Sequence, residues 1–367
     1  MTDNKTAMLT RIMQTVRPEV QAMRAYPVTP PWTGIKIELM EDNHLDSPQS
    51  APAMRAALAK AISEAAFNRY PDPAAPELKA KLREKLGIAA HHGIILGSGS
   101  DEIITLISMV TIAGGGTVLS LEPSFAVFKN AANAVAGRYV GVPLSADFSL
   151  DLDATLAAIE REQPKLVWIV FPNNPTGNAY PDDAVAAIIR AAPGLVVIDE
   201  AYEPFAQRSW MSRLDEFPNL LVMRTLSKIG LAGVRLGYAF GAPEWINEID
   251  KVRGPFNVGV LQQVAAVVML DHYDELKRHA ASMIAERERL FAALSELPGV
   301  TPFPSVANFV LARFPDATAV YEGLKARGIL VKNVSAQHPL MANTLRISVG
   351  KPDEMDQLLA ALKALLA

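Results

Sequence analysis

The sequence predicts an α/β fold: a large domain with a mostly parallel seven-stranded sheet flanked by helices, then a smaller α+β domain. Apolar runs of four to seven residues alternate with helical patterns through the middle of the chain, as in strands joined by crossover helices. At 367 residues the chain is long enough for two separate cores. After Pro255 the alternation gives way to a long helical stretch and new strands, which indicates the second domain.

Seven apolar runs are the candidate strands of the large sheet, and four helical segments lie between them. Asp, Ser or Pro begins each of these segments, as is typical of helix caps. The predicted strands are residues 94–96, 117–121, 138–142, 165–171, 195–199, 220–225 and 237–240. The predicted helices are residues 101–112, 124–136, 151–161 and 181–192.

The C-terminal part begins with a long, charged helical pattern that Leu297-Pro298-Gly299 closes. The predicted helices here are residues 276–297, 317–327 and 353–366, and the predicted strands are residues 307–314, 330–334 and 345–349. We therefore predict a large domain at 46–260 and a small domain at 261–367. Residues 1–45 contain four prolines and are predicted to form an N-terminal arm, part of which joins the small domain.

The composition excludes several classes of protein. A formal charge of −4 provides no basic surface for nucleic acid or an anionic membrane, so we expect small-molecule partners. The absence of cysteine excludes disulfides and thiolate chemistry and fits a reducing cytoplasm. No signal-peptide pattern is present, and no apolar segment approaches the roughly 20 residues that span a bilayer. The six histidines show no i, i+4 pair around a glutamate, so we predict no metal ligand.

Lys228, in Thr225-Leu226-Ser227-Lys228, is the first indication of chemistry. A lysine becomes an imine-forming nucleophile when its pKa is lowered and a carbonyl partner is fixed beside it. Its small, apolar neighbours argue against the alternative, a solvated surface lysine. Thr225, Ser227 and Arg235 are suited to bind a phosphate, and Asp199 ends an apolar run where a buried strand would emerge beneath a ligand. The simplest ligand that uses all these groups is pyridoxal phosphate.

A second motif, Gly97-Ser98-Gly99-Ser100-Asp101-Glu102, follows a predicted strand and opens a predicted helix. Free backbone N–H groups and the helix dipole favour an anion at such a position. The alternative is the dinucleotide-binding turn of an NAD-dependent dehydrogenase, with Glu122 as the ribose-binding acid. Glu102 stands where that turn needs its third glycine or an alanine, so we favour the phosphate site of another cofactor.

A third motif, Phe171-Pro172-Asn173-Asn174-Pro175-Thr176-Gly177, ends the apolar run at 165–171 and could form only a turn. Alternatively, the Asn174 amide donates to a phenolate-like oxygen, and a cis X-Pro bond would aim it. Asp199 would keep a pyridine nitrogen protonated, which makes the ring an electron sink, and Tyr202 could donate to the same ring oxygen as Asn174. A helix cap for Asp199 and a core aromatic for Tyr202 are the simpler alternatives.

These motifs, together with Asp199-Glu200-Ala201-Tyr202, resemble in order and spacing the fold type I, pyridoxal-phosphate-dependent aminotransferases. The resemblance is closest to the histidinol-phosphate aminotransferases. It begins near Tyr26, passes through Asn68-Arg69-Tyr70-Pro71, and extends to Leu345-Arg346-Ile347-Ser348-Val349-Gly350.

The resemblance implies a role for each site residue. Lys228 would hold pyridoxal phosphate covalently, with Asp199 at the pyridine nitrogen and Tyr202 and Asn174 at the ring hydroxyl. Lys228, Asp199 and Tyr202 would be the catalytic residues. The cofactor's phosphate would be bound by Ser100, Asp101, Thr225, Ser227 and Arg235, with Tyr70 reaching across from a second subunit. The substrate would be bound by Asn174, Arg346, Lys332 and Tyr26.

Three features depart from the family pattern. Phe125 stands where a tyrosine usually stacks on the cofactor ring, so stacking is kept and the hydroxyl is lost. Met40-Glu41-Asp42-Asn43-His44 replaces the usual Glu-Asn-Pro on the substrate side. Lys332 replaces a common arginine, and a point charge binds phosphate less specifically than a planar fork.

The expected function is a homodimeric aminotransferase that transfers an amino group from histidinol phosphate to 2-oxoglutarate in histidine biosynthesis. Lys332 and Arg346, with no evident carboxylate to balance them, favour a phosphate-bearing donor. The alternatives within the fold are an aromatic amino acid aminotransferase and a phosphothreonine-type decarboxylase. An NAD-dependent dehydrogenase or a cofactor-binding regulator without catalysis would belong to other classes, and no basic helix-turn-helix segment supports the regulator.

Overall fold

The computed structural model describes residues 2–25, 29–45 and 51–367. Its helices are α1 Thr2–Met13, α2 Pro18–Gln21, α3 Pro52–Glu64, α4 Pro76–Leu86, α5 Ser100–Thr111, α6 Val127–Ala134, α7 Leu152–Glu162, α8 Asp182–Ala191, α9 Glu203–Ala206, α10 Pro243–Asp250, α11 Val260–Asp271, α12 Tyr273–Ser295, α13 Ala317–Ala326 and α14 Pro352–Leu366. Its strands are β1 Ile35–Lys36, β2 Gly93–Ser98, β3 Thr117–Glu122, β4 Arg138–Pro143, β5 Leu166–Val170, β6 Leu195–Asp199, β7 Leu220–Thr225, β8 Leu236–Gly241, β9 Thr301–Pro302, β10 Phe309–Arg313, β11 Ile329–Leu330, β12 Lys332–Asn333 and β13 Thr344–Ser348.

The large sheet has seven strands in the order β2-β8-β7-β6-β5-β3-β4. Only β8 runs antiparallel to its neighbours, β2 and β7, so the predicted, mostly parallel sheet is confirmed. Each predicted apolar run forms one of its strands. The central strands β5, β6 and β7 are buried along their whole length because helices cover both faces, which explains their continuous apolar sequences.

This topology brings the predicted motifs to one edge. Because β2, β5, β6 and β7 run in the same direction, the segments that follow them meet at the carboxyl edge of the sheet. These segments are the start of α5, the Asn173–Asn174 loop, Asp199 with Tyr202, and the turn that carries Lys228.

The four helices predicted between strands are present, but the cap prediction holds for only one of them. Asp151 caps α7, since its Oδ1 accepts a hydrogen bond from Ala154 N at 2.9 Å. The helix predicted from Ser124 begins instead at Val127, because the Ser124 hydroxyl donates to Asn173 Oδ1 at 3.1 Å in the neighbouring loop. The starts of α5 and α8 have no side-chain cap bond.

The C-terminal part forms a four-stranded antiparallel sheet in the order β12-β13-β10-β9, which packs with α12, α13 and α14. The predicted strand at 330–334 is divided, because β11 pairs in parallel with β1 while β12 pairs with β13. Ile37, just after β1, is buried in the same apolar cluster as α14. The N-terminal segment thus contributes to the C-terminal core, while the domain boundaries at 45 and 260 stay predictions.

Several helices were not predicted, among them α1 in the proposed arm, α3, α4, α10 and α11. The helices α3, α4 and α10 begin with proline at N1, which suits a helix start but gives little periodic signal. Within the described parts of the chain, no helix has both the length and the apolar character needed to cross a membrane.

Candidate active site

Lys228 lies in the single-turn 3₁₀ helix Ser227–Ile229 that follows β7. Its Nζ donates a hydrogen bond to the backbone carbonyl of Leu39 at 3.0 Å. Burial lowers the pKa of Lys228 to about 8, and the positive charges of Arg346 and Arg235 act in the same direction. A lysine amine that can lose its proton near neutral pH is suited to nucleophilic and proton-transfer chemistry.

Asp199 is the last residue of β6 and is 3% exposed. Its Oδ1 accepts a hydrogen bond from Ala201 N at 3.0 Å. Burial raises the pKa of Asp199 to about 7, against the opposing effects of that bond and of the Lys228 charge. A buried carboxylate of this kind gains most from a cationic N–H donor, which fits the protonated nitrogen of a pyridine ring.

Asn174, Tyr202 and Arg346 form a buried hydrogen-bonded chain. Asn174 Nδ2 donates to Tyr202 Oη at 3.0 Å, and Arg346 Nη1 donates to Asn174 Oδ1 at 2.6 Å. The Asn174–Pro175 bond is cis, a form that the sequence analysis allowed for an X-Pro bond in this motif. The predicted partners at the ring hydroxyl, Asn174 and Tyr202, therefore lie together, and Arg346 connects them to strand β13.

The Gly99 turn and Arg235 form a close cradle at the start of α5. Gly99 has φ +85°, and a Cβ built on it would lie 2.5 Å from Arg235 Nη2. A Cβ on Gly237 would lie 2.4 Å from Ser100 N, so a side chain there would push the turn away. Arg235 Nη2 also pairs with Asp101 Oδ2 at 3.2 Å. The guanidinium therefore faces the N-terminus of a twelve-residue helix, an arrangement that suits a phosphate.

Thr225 and Ser227 supply hydroxyls at the same edge. Their oxygens are 2.9 Å apart, and Ser227 N donates to Thr225 Oγ1 at 3.1 Å. Two hydroxyls, a guanidinium and free helix N–H groups make a donor set for a phosphate, and a lysine amine and a buried carboxylate complete the requirements of pyridoxal phosphate. The residues present therefore fit this cofactor.

Glu102 explains why the turn is not a dinucleotide-binding one. Its Oε2 accepts hydrogen bonds from Ser98 N and, at 2.8 Å, from Asn257 Nδ2. The glutamate thus holds the turn from inside, at the position where a dinucleotide fold needs a small residue for close helix packing.

The substrate side contains an unpredicted carboxylate. Lys332 and Arg346 are cross-strand partners in β12 and β13, so their side chains share a face of the sheet. Glu38, which is 2% exposed, places Oε2 at 3.8 Å from Lys332 Nζ and accepts a hydrogen bond from Thr29 at 2.9 Å. The expectation that no carboxylate balances the two cations is therefore wrong. The other predicted substrate residue, Tyr26, lies outside the described residues.

Phe125 and Tyr70 lie at the margins of the site. Phe125 is half-buried and packs edge-on against Phe128, with ring centroids 5.7 Å apart. Tyr70 is 80% exposed and stacks on Phe256 at a centroid distance of 4.4 Å. An exposed aromatic pair is consistent with the predicted role of Tyr70 at a neighbouring subunit, which stays a prediction.

Comparison with known proteins decides the family. The family model for aminotransferase class I and II matches residues 35–362. This chain belongs to that family. A histidinol-phosphate aminotransferase of Chromobacterium violaceum is 52% identical over 353 residues, which cover 96% of this chain and 98% of the relative. Histidinol-phosphate aminotransferase 1 of Ralstonia nicotianae is 50% identical over 357 residues, covering 96% and 94%.

A solved structure of this aminotransferase family has the same fold along nearly the whole chain. It is the histidinol-phosphate aminotransferase of Sinorhizobium meliloti, in complex with pyridoxal-5'-phosphate. Its TM-score is 0.84 at 29% identity, and the match covers 96% of this chain and 97% of that chain.

Sequence reasoning missed several residues that shape this aminotransferase's site. The Leu39 carbonyl and Glu38 reach the site from a segment that carries no motif. Gln262 donates to Ser98 Oγ at 3.2 Å and to the Arg235 carbonyl at 3.1 Å, and so supports the phosphate cradle. Its one sequence signal is its position at the start of α11, where its Oε1 also accepts from Gly259 N.

One group of side chains away from the lysine site could share a cation among the described residues: His91, His92 and Asp215. Adjacent histidines and a distant aspartate escape a search for i, i+4 pairs. His91 Nε2 lies 2.8 Å from Asp215 Oδ1, and both side chains are mostly exposed, so an ordinary surface ion pair accounts for the contact. The prediction of no metal ligand stays a prediction.

Proposed function

We propose that this protein is a pyridoxal-phosphate-dependent aminotransferase that transfers the amino group of histidinol phosphate to 2-oxoglutarate in histidine biosynthesis. The observation that carries the proposal is the convergence of Lys228, Asp199 and the Gly99–Arg235 cradle at one sheet edge. Relatives at about 50% identity over nearly the whole chain carry the name histidinol-phosphate aminotransferase, which supports the choice of donor.

Each residue has a defined task in this proposal. Bound pyridoxal phosphate would supply an electron sink for negative charge at the substrate's α-carbon. Lys228 would hold it until the substrate's amine takes its place, and the freed lysine amine, with a pKa of about 8, would then take up the proton from that α-carbon. Asp199 would hold the ring nitrogen, and Asn174 with Tyr202 the ring hydroxyl. The phosphate would be held by Ser100, Asp101, Thr225, Ser227 and Arg235, with Phe125 beside the ring.

Arg346 and Lys332 bind the substrate's anionic end in this proposal. Arg346 alone suffices for the monoanionic carboxylate of glutamate or 2-oxoglutarate, because its planar fork matches a carboxylate. A dianionic phosphate uses Lys332 as well, in competition with the Glu38 carboxylate 3.8 Å away. Tyr26 completes this end of the site in the family pattern.

The same proposal includes a homodimer that works in the cytoplasm. Exposed apolar side chains occur on α1, at Met8, Leu9 and Ile12, and around Tyr70, at Phe67 and Phe256. Exposed apolar groups in such number favour a protein interface. In the dimer, Tyr70 would contact the cofactor's phosphate in the neighbouring subunit.

Glu38 favours a second candidate, an aromatic amino acid aminotransferase. A buried carboxylate beside Lys332 reduces the positive charge offered to the donor, and a monoanionic amino acid needs less of it. An L-threonine-O-3-phosphate decarboxylase of Porphyromonas gingivalis shares the fold at 19% identity, which bears on the fold alone.

A donor panel tests the choice. We expect the specificity constant kcat/KM with 2-oxoglutarate as acceptor to be higher for histidinol phosphate than for phenylalanine. Glutamate, whose product is 2-oxoglutarate itself, is measured by exchange of isotope label between the two and should lie between these donors. Lys228→Ala serves as the control and should reduce turnover with every donor to background. A wild-type enzyme that prefers phenylalanine over histidinol phosphate would instead be an aromatic aminotransferase.

A further inference from the structure

Residues 37–42, here called the lysine-facing segment, cross the active site directly beside the reactive amine. Its Leu39 carbonyl is the acceptor for Lys228 Nζ at 3.0 Å. Met40, in the left-handed region at φ 57°, donates its N–H to Ser348 Oγ at 3.0 Å and accepts from Asn308 Nδ2 at 3.1 Å. One half of the segment is thus held by the C-terminal sheet.

Asp42 holds the other half. Its carboxylate accepts hydrogen bonds from His44 N at 2.9 Å, from His44 Nδ1 at 2.8 Å and, from helix α12, from His279 Nδ1 at 3.1 Å. The two imidazole rings stack at a centroid distance of 5.2 Å. A buried carboxylate with three donors on three different groups has one orientation, so the chain at Asp42 is fixed to α12.

The charges around Asp42 favour its ionised form. Burial alone would raise the pKa of Asp42, but the hydrogen bonds from His44 and the charges of His279 and His44 outweigh burial and lower it. The hydrogen bond to Asp42 in turn raises the pKa of His44, aided by Glu354 and opposed by burial and Lys351. The carboxylate therefore stays charged and bound to both histidines.

Asp42 also lies against the turn that carries the lysine. Gly230 ends that turn at φ +98°, and a Cβ built on it would lie 3.1 Å from Asp42 Oδ2. The same carboxylate therefore binds its own segment and α12, and lies beside the residue two positions after Lys228.

We propose that Asp42, clasped between His44 and His279, is a positioning residue that holds the Leu39 carbonyl on the Lys228 amine. An amine whose N–H is directed to a fixed carbonyl keeps its lone pair in one direction, so that it meets the reacting carbon with less reorganisation. The inference rests on the proposed function of Lys228 as the reactive amine. It assigns a purpose to the segment in which this chain departs from the family's Glu-Asn-Pro pattern.

Paired substitutions of His279 test the clasp, that is, Asp42 with its partners His44 and His279, without removing the buried charge of Asp42. In His279→Asn the amide Nδ2–H takes the place of the imidazole Nδ1–H, whereas His279→Leu has similar bulk and no donor. We expect His279→Leu and Asp42→Asn to lower kcat about 10- to 100-fold with little change in KM, because small misplacements of a reacting group cost this much. We expect His279→Asn to stay within about threefold of wild type, as should the half-buried control His272→Asn, which is outside the clasp.

A second readout does not depend on activity. In the cofactor-free protein, trace acetylation of Lys228 relative to the exposed Lys165, measured by mass spectrometry, should rise several-fold in His279→Leu and stay near wild type in His279→Asn. Wild-type kcat and labelling in His279→Leu would overturn the proposal. So would equal losses in His279→Leu and His279→Asn with unchanged labelling, since the histidine would then act only through packing.

The donor does not enter this comparison, because every variant is measured with whichever amine the wild type uses best. If the donor panel shows that another amine is preferred over histidinol phosphate, the proposed substrate is wrong. The ratios of kcat between each His279 variant and wild type still test the role of Asp42. If the Lys228→Ala variant keeps full turnover, Lys228 is not the reactive amine, and the proposed role of Asp42 fails with it.

Discussion

At the scale of single residues, burial acts in opposite directions on the two central ionisable groups. It raises the pKa of Asp199 to about 7 and lowers the pKa of Lys228 to about 8, because each group loses hydration of its charged form. Both therefore titrate close to physiological pH. A cationic ring nitrogen beside Asp199 would restore its charge, so the carboxylate is prepared for such a partner.

The Asp199 shift predicts how stability depends on pH. Folding raises the pKa of this carboxyl from 3.8 to about 7, so the unfolded chain loses its proton first and the contribution of Asp199 to stability falls between about pH 4 and pH 7. We expect cofactor-free Asp199→Asn, which cannot ionise, to exceed wild type by a few kcal/mol at pH 8 and by less at pH 5. Urea unfolding at both pH values measures this.

A stability difference that is the same at pH 5 and pH 8 would contradict the raised pKa of Asp199. In the loaded enzyme the same substitution would remove the charge that we propose keeps the ring nitrogen protonated. We therefore expect kcat to fall about 100-fold or more while KM changes little. Normal turnover with a raised KM would exclude Asp199 from this role.

Lys332 and Glu38 form a matched pair for testing donor choice. Lys332→Ala removes one of the cations for a phosphate, so we expect kcat/KM for histidinol phosphate to fall about tenfold more than that for glutamate. Glu38→Gln keeps a hydrogen-bond acceptor for Thr29 and frees Lys332, so it should shift the ratio of the two donors the other way. Changes in the same direction would mean that Glu38 and Lys332 do not compete.

The site residues with distinctive side chains could be predicted because each stands in a motif at a strand end. Lys228, Asp199 and Asn174 carry functional groups that the proposed chemistry requires, and the strands that precede or contain them are strongly apolar. The Leu39 carbonyl could not be predicted, because every residue has one and it lies 189 positions from the lysine. The position of Glu38 could not be predicted either, because no local sequence pattern places it beside Lys332.

At the scale of elements, the buried strands were predictable, and so were most starts of the predicted helices, whereas the start of α6 was not. A strand such as β6 is apolar throughout because both faces are covered, and this pattern has few alternatives. The start of α6 depends on the hydrogen-bond partner of the Ser124 hydroxyl, which donates to Asn173 instead of capping the helix. The division of residues 329–333 between two sheets depends on β1, which is far away in sequence.

The Gly99 cradle predicts a local effect on cofactor affinity. Gly99→Ala puts a methyl group 2.5 Å from Arg235 Nη2, so the guanidinium must move, and we expect the dissociation constant of pyridoxal phosphate to rise about tenfold or more. Gly114→Ala is a matched control, because its φ of +77° imposes similar strain and its Cβ meets nothing within 4 Å. Fluorescence titration of both cofactor-free variants measures the affinity. Equal weakening in the two would attribute the effect to backbone strain.

At the scale of the whole molecule, substitution of Tyr70 tests whether the proposed site is built from one chain or two. If Tyr70 serves the neighbouring subunit, a dimer of Tyr70→Phe with Lys228→Ala contains one intact site, and mixing the two variants should recover activity. A chain with both substitutions, mixed with wild type, gives the opposite arrangement and no intact site in its mixed dimers. Recovery only in the second mixture would place Tyr70 in its own chain's site.

The pairing of β1 with β11 has a consequence for the order in which the protein is made. Residues 35–40, whose Leu39 carbonyl accepts from the lysine amine, are bound by Ile329, Leu330 and Ser348. All strands of the large sheet precede residue 242. A growing chain can therefore assemble that sheet before the Leu39 carbonyl is held beside the Lys228 amine. The lysine amine is therefore covered with the help of segments that are synthesised after the whole of the large sheet.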